Sequence, residues 1–210
     1  MSELNTTVLI LCAGKAERFN GHFKQLSTLG KESILGRIQR QVQTRGLQPI
    51  TVTHHMDLKR VSVQWFEPEE YECTVDTLSN TRSLWAERTV VLLGDVVYSR
   101  AVMDYILHFD RDLVFYGDKW EIYALAFRKE SWFILNDAIL EAKEHYPGKF
   151  GTLYNAVCGN ELDKNRGLLY EMRDAPYWIY VLDWTRDVDS FSQYKTALLE
   201  LVGCGMLDGG

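Results

Sequence analysis

A chain of 210 residues, 46% of them apolar, can bury one substantial core and most simply forms one domain. Its formal charge of −6, from 29 acidic and 23 basic residues, argues against a nucleic-acid polymer as main partner, because such sites carry a basic stripe. The four cysteines, at 12, 73, 158 and 204, form no Cys-x-x-Cys pair and read as reduced thiols of a cytoplasmic protein; no signal peptide opens the chain and no apolar run suits membrane insertion.

The first readable element is the apolar run Val8 to Ala13, which stops at Gly14 and gives way to a polar loop with Lys15, Arg18 and Lys24. This is the pattern of a buried strand that delivers a loop to the carboxyl edge of a sheet, where open α/β sheets bind ligands. Glycine lets backbone approach a ligand closely, and the cations suit an anionic one. The loop is neither of two familiar phosphate binders. No Gly-Lys-Ser/Thr string is present, and Ala16 and Phe19 stand where the dinucleotide fingerprint needs its second and third glycines.

Ser33 is placed to cap a helix with Ile34, Leu35, Ile38 and Val42 on one face and Gly46 at its end. A strand follows from Pro49 to Thr53, and the alternation of Val61, Val63 and Trp65 predicts another from Val61 to Phe66. His54 and His55 close the earlier strand; adjacent strand residues face opposite ways, so the pair is expected to have structural or surface roles and not to share a metal ion. Glu67 to Glu72 reads as a solvated loop, followed by a helix from about Thr77 to Glu87 and the strand Thr89 to Leu93, ending in Gly94-Asp95.

Next comes a helix from Arg100 to about Phe109, capped by Ser99, with Val102, Tyr105, Ile106 and Phe109 as its expected buried face. Leu113 to Tyr116 and Ile122 to Phe127 read as strands around the turn Gly117-Asp118-Lys119. Ser131 opens another helix, bearing Phe133, Ile134, Ala138 and Leu140 to Ala142, which Pro147-Gly148 ends. Lys149 to Arg173 is expected to hold a short helix near Thr152 to Val157 and a polar loop. A strand from Tyr177 to Leu182 precedes Asp187-Val188-Asp189-Ser190. Ser190 and Gln193 have capping-box spacing and mark the start of the last helix, with Tyr194, Ala197, Leu198 and Leu201 on one face. Alternating strands and helices predict an α/β fold around a mixed, mostly parallel sheet.

Three of these segments resemble the sugar-phosphate and alcohol-phosphate nucleotidyltransferases. Their first motif is roughly L-x-A-G-x-G-x-R, then P-K-x-L; Ala13, Gly14, Arg18, Lys24 and Leu26 match it, while Ala16 replaces the second glycine and Phe23 the proline. Ser83-Leu84, followed by Leu93-Gly94-Asp95-Val96-Val97, is similar to the branch that uses CTP and phospho-alcohols, such as phosphocholine cytidylyltransferases. Asp187 to Ser190 resembles the D-I-D-T element before the last helix.

The resemblance implies a three-layer Rossmann-like fold with helices on both faces of the sheet. It implies one nucleotidyltransferase domain over 1–203, with an acceptor side at about 110–175 and a flexible tail at 204–210. Lys24, Arg18 and Asp95 would be catalytic. Leu11, Ala13, Gly14, Lys15, Asn80, Arg82 and Ser83 would line the nucleotide. Asp95 and Asp189, with Asp187 as a third, would hold Mg2+. The partners implied are a nucleoside triphosphate, CTP favoured, and a small phosphorylated alcohol or sugar, in a monomer or homodimer. Trp120, Trp178 and Tyr116 offer an aromatic wall for a quaternary ammonium. Two other readings remain open: a molybdopterin-type guanylyltransferase, which shares the first motif, and a nucleotide-binding module without turnover.

Overall fold

The computed structural model describes residues 5–14, 22–145, 148–159, 177–188 and 190–203. At its centre lies β1 (Thr6–Leu11), whose Val8 to Ala13 stretch is buried throughout. A run without alternation is what a strand covered on both faces requires. On one side β1 pairs in parallel with β4 (Pro49–Val52), and β4 with the two-residue β5 (Trp65–Phe66). On the other side it pairs in parallel with β6 (Arg88–Leu93). Beyond β6 lie the antiparallel β9 (Ile122–Arg128), then β8 (Leu113–Gly117) and β10 (Trp178–Tyr180). The seven strands make the mixed, mostly parallel sheet expected from the sequence.

Alternate residues of these strands feed two cores. Val8, Ile10, Val90 and Leu92 face α1 (Ile34–Gln43), α4 (Arg100–His108) and α7 (Phe191–Gly203) through Ile38, Met103 and Leu201. Leu9, Leu11 and Val91 face α3 (Thr74–Asn80), α5 (Trp132–His145) and α6 (Phe150–Val157) through Leu78, Ile139 and Leu153. The result is three layers, helices on sheet on helices. The short ribbons β2 (Thr28–Leu29) with β3 (Glu32–Ser33), and β7 (Val96–Val97) with β11 (Arg186–Asp187), lie outside the main sheet. No helix among the described residues is long and apolar enough to cross a membrane.

Three caps anticipated in the sequence are formed, while Ser131 instead ends a 3-10 turn ahead of α5. Ser33 accepts the Gly36 amide at 3.0 Å, Ser99 that of Val102 at 3.0 Å, and Ser190 that of Gln193 at 3.2 Å. Other elements differ from expectation. The strand expected from Val61 is instead the end of a short helix, α2 (Met56–Val61), and only Trp65–Phe66 pairs with the sheet. That strand is the sheet edge, so Val63 and Trp65 stay exposed. Helix α3 starts three residues before the expected Thr77, capped by the Cys73 sulfur, and gives way to a single 3-10 turn at Arg82–Leu84. On α4 the buried residues are Met103, Ile106 and Leu107, with Tyr105 exposed; on α5 Phe133 and Leu140 face solvent, while Leu135, Ala138, Ile139 and Ala142 are buried. Residues 160–176, where most of the expected polar loop falls, and 204–210, the expected tail, lie outside the described residues.

Candidate active site

In-register pairing of β1 and β6 brings Leu11 beside Leu93, so Gly14 and Asp95 leave the sheet from the same edge. Gly94 is required there. A Cβ on it would collide with the Cys12 sulfur and sit 3.0 Å from the Leu11 carbonyl oxygen. Two residues on, β7 pairs with β11, placing Asp187 opposite Val96; the Val188 amide donates to the Asp95 carbonyl at 3.1 Å. A residue from the far end of the chain is thereby fixed beside one from its middle.

Lys24 arrives from the front. It opens a 3-10 turn in which Leu26 N donates to Phe23 O and Ser27 N to Lys24 O, at 2.9 and 3.0 Å. Its Nζ lies 2.6 Å from Asp95 Oδ2 and 3.8 Å from Asp187 Oδ1, and all three side chains remain partly accessible. One ammonium is thus shared by two carboxylates at the mouth of the sheet. Beneath them, Tyr98 is fully buried: its hydroxyl donates to the Tyr123 carbonyl at 2.5 Å and accepts the Leu93 amide at 3.0 Å. Burial, with help from the Asp95 and Asp187 charges, pushes this phenol well above its ordinary range. The Cys12 thiol is raised by burial first and by Asp95 second.

The structure places the remaining expected residues as follows. Leu11 and Ala13 are buried at the end of β1 and Gly14 is exposed just beyond them. Lys15, Arg18 and Asp189 lie outside the described residues. Asn80 accepts the Glu69 and Glu70 amides at 3.0 and 3.3 Å and so ties down the acidic loop. The Arg82 Nε donates to Asn136 Oδ1 at 2.7 Å, and Ser83 is exposed. Because α3 starts early and runs back along the sheet, residues 82 and 83 have reached the edge where β6 begins. Trp85, two residues on, packs on Phe127, which sits in the sheet opposite Leu113 and Thr89, at the starts of β8 and β6. Arg82 and Ser83 are therefore on the opposite edge from Asp95 and Lys24. The expected aromatic wall is not formed either. Tyr116 and Trp178 are buried in the cores on opposite faces of the sheet, and only Trp120, 61% exposed, faces solvent, with the Lys119 ammonium 4.2 Å from its ring centre.

The two histidines, expected in structural or surface roles, stand at the same edge as Asp95 and Lys24. Both follow β4 in a turn and do not diverge as strand neighbours would. Their ring centres are 3.6 Å apart, with His54 stacked on Tyr71 at 3.8 Å and His55 against Phe23 at 4.4 Å. The His55 Nε2 is 3.2 Å from the Gly14 carbonyl oxygen. The available signal was their position, immediately after an apolar strand parallel to β1 and hence at the same sheet edge.

The donor set fits a hard divalent ion. Asp95 and Asp187 already converge on one cation through oxygen atoms, as Mg2+ or Mn2+ would need, with substrate phosphates supplying further ligands.

Solved structures of the same architecture span nearly the whole chain. A homologue of Mycobacterium tuberculosis Rv0371c from Mycobacterium sp. strain JC1 is 18% identical, with a TM-score of 0.61 over 95% of this chain and 98% of that one. A putative glucose-1-phosphate thymidylyltransferase from Bacillus anthracis, solved with sucrose, is 14% identical, with a TM-score of 0.61 over 98% and 96%. Rv0371c of M. tuberculosis in complex with manganese is 16% identical, with a TM-score of 0.57 over 92% and 98%. At such identities these matches establish the fold. No curated protein matches the sequence. Residues 8–146, which include β1, Lys24 and Asp95, match the model of the MobA-like NTP transferase domain, and the chain belongs to that family.

Proposed function

We propose that the chain is a nucleotidylyltransferase that moves a nucleoside monophosphate from a nucleoside triphosphate onto a small phosphorylated alcohol or sugar, with Mg2+ as its cofactor. The observation that carries this reading is the Lys24 ammonium held between Asp95 and Asp187 at the edge of the sheet where β1 delivers its glycine turn. An acceptor phosphate monoester has a second pKa of about 6 and is largely dianionic at neutral pH, so no general base is needed. One of its oxygens attacks the α-phosphorus; the bond from that phosphorus to the bridging oxygen breaks, and pyrophosphate leaves.

The work of the protein is alignment and charge neutralisation. Lys24 leaves the carboxylates to meet the α-phosphate, and Lys15 and Arg18 hold the β- and γ-phosphates. Asp95 would hold the divalent ion, with Asp187 or Asp189 as its second carboxylate; the ion, when bound, neutralises charge on the triphosphate. The manganese complex of Rv0371c supports a divalent cofactor.

CTP was the donor suggested by Ser83-Leu84, but those residues lie on the far edge, so that argument for the base lapses. The MobA-like match is equally compatible with a second reading in which GTP is the donor and the acceptor is of the molybdopterin type. The sugar-phosphate activity named for the B. anthracis protein supports a sugar phosphate as acceptor. Pyrophosphate release with CTP, GTP, UTP and ATP over a panel of phosphorylated acceptors tests all of these. Release with at least one pair, lost on adding a chelator, is expected; no release with any pair would overturn the proposal.

A further inference from the structure

At the edge of the sheet where Asp95 leaves it, the ladder between β6 and β9 comes to an end. Their in-register pairing runs as far as Leu92 with Ala124. At the same level the pairing of β9 with β8 shifts register, between Tyr116 and Gly117. Gly94 N donates to the Leu11 carbonyl of β1 at 3.0 Å, so its neighbour Leu93 turns its own amide the other way, toward β9. Where the next ladder pair would fall, the Tyr98 hydroxyl bridges the two strands. It accepts the Leu93 amide at 3.0 Å and donates to the Tyr123 carbonyl at 2.5 Å. The Leu93 carbonyl lies 3.3 Å from the same oxygen, and the single hydroxyl hydrogen goes to the shorter contact.

The bridge closes the turn from Leu93 to Tyr98 on itself, and Asp95 sits on that turn. Tyr98 is fully buried in the core with Ile10, Leu92 and Met103, so its ring cannot swing away. Immediately behind it the Ser99 amide donates to the Thr185 hydroxyl at 3.0 Å, and both of those residues are buried. On the far side of the turn the Val188 amide donates to the Asp95 carbonyl at 3.1 Å. The Asp95 backbone is thus held from three directions: against β1 by Gly94, against β9 by the Tyr98 bridge, and against β11 by the ribbon that carries Asp187.

We propose that Tyr98 is a positioning residue for Asp95: its hydroxyl sets the turn so that the Asp95 and Asp187 carboxylates meet a divalent ion without rearrangement, and Thr185 anchors the end of the same turn. Tyr98 touches no reacting atom. Without the hydroxyl, the Leu93 amide and the Tyr123 carbonyl are left unsatisfied or close directly on each other, and closure pulls the start of the Asp95 turn toward β9. Groups that hold a metal-binding carboxylate in place act on the affinity for the ion as well as on the fold. This rests on the reading of Asp95 as a ligand of the divalent ion.

The test measures Mn2+ binding to the nucleotide-free full chain by electron paramagnetic resonance, with thermal melting to confirm that each variant is folded. Asp95→Asn should abolish binding. Tyr98→Phe should weaken it about tenfold, the scale of a lost partner behind a metal ligand. Tyr116 is as deeply buried, but its hydroxyl has no hydrogen-bond partner among the described residues. Tyr116→Phe therefore makes the same chemical change on another strand and should leave Mn2+ affinity at the wild-type value. Thr185→Val should weaken binding about threefold, the lower end of one neutral hydrogen bond, and Thr185→Ser, which keeps the hydroxyl, should restore it. Wild-type affinity in folded Tyr98→Phe would overturn the proposal, as would an equal loss in Tyr116→Phe. Should Tyr98→Phe not fold, wild-type affinity in Thr185→Val would overturn it. No Mn2+ binding by the wild type, or binding that survives Asp95→Asn, would sink the reading of Asp95 and the proposal with it. Binding that depends on Asp95, with no turnover of any substrate pair, would sink the transfer reaction alone and leave the Tyr98 comparison decisive.

Discussion

The two edges of the sheet each hold a cation near the core, and they treat it differently. At the edge where strands begin, Arg88 is only 5% exposed, and its guanidinium donates to the carbonyls of Leu107, Ile106 and Phe109 at 2.8, 2.7 and 3.1 Å. Those are carbonyls at the end of α4, and burial is what lowers the Arg88 pKa. Every direction from this cation is closed by the fold. At the opposite edge Lys24 meets side-chain carboxylates, which can exchange an ammonium for another cation, and the group stays open to solvent. Charge satisfied by backbone supports the fold, whereas charge satisfied by exchangeable side chains at the mouth of the sheet is available to a ligand.

The sharpest way to break this contrast is to substitute the open edge. Asp95→Asn should lower kcat by about a thousandfold while leaving the melting temperature close to wild type, checked by pyrophosphate release and calorimetry. Lys24→Met should cost about a hundredfold or more in kcat. It should also strengthen Mn2+ binding by the nucleotide-free protein, read by electron paramagnetic resonance, because the competing ammonium is gone. Arg88→Met should do the reverse. Leaving three carbonyls without their charged donor should destabilise the fold by about 2–4 kcal/mol in denaturant titration, with activity per folded molecule within about twofold of wild type. Arg82→Ala with Ser83→Ala should change neither property by more than about 0.5 kcal/mol, since both are surface residues on the closed edge.

The smallest effect concerns the histidine turn. Burial is the leading cause that lowers the pKa of both His54 and His55 below the ordinary 6.5. The folded state then binds fewer protons than the unfolded one as pH falls below about 6.5, so stability declines in that direction and is fully present above it. A melting temperature that drops from pH 7 to pH 5.5, with a shallower drop in His54→Phe, is the expected outcome.

The contrast also shows what was legible in the sequence. β1 and β6 stood out because a strand buried on both faces has to be continuously apolar, and Gly94-Asp95 because the chain stops being apolar there. Ser33, Ser99 and Ser190 announced their helices through hydroxyl caps. Helix α3 was placed late because its cap is a cysteine, whose sulfur does the work of an oxygen. That error carried Arg82 and Ser83 to the wrong edge. The face of α5 was misjudged because Phe133 and Leu140 are apolar yet point away from the sheet, which only packing decides. The proximity of Asp187 to Asp95 depends on the β7–β11 ribbon, two residues long on each side and without local signature.

The most direct measurement is a crystal structure of the chain with Mg2+ and the triphosphate that turns over. The ion is expected at about 2.1 Å from an Asp95 oxygen, with Lys24 moved from the carboxylates to the α-phosphate and Lys15 and Arg18 on the outer phosphates. A triphosphate bound at the other edge beside Arg82, or an ion that leaves Asp95 paired with Lys24, would contradict it.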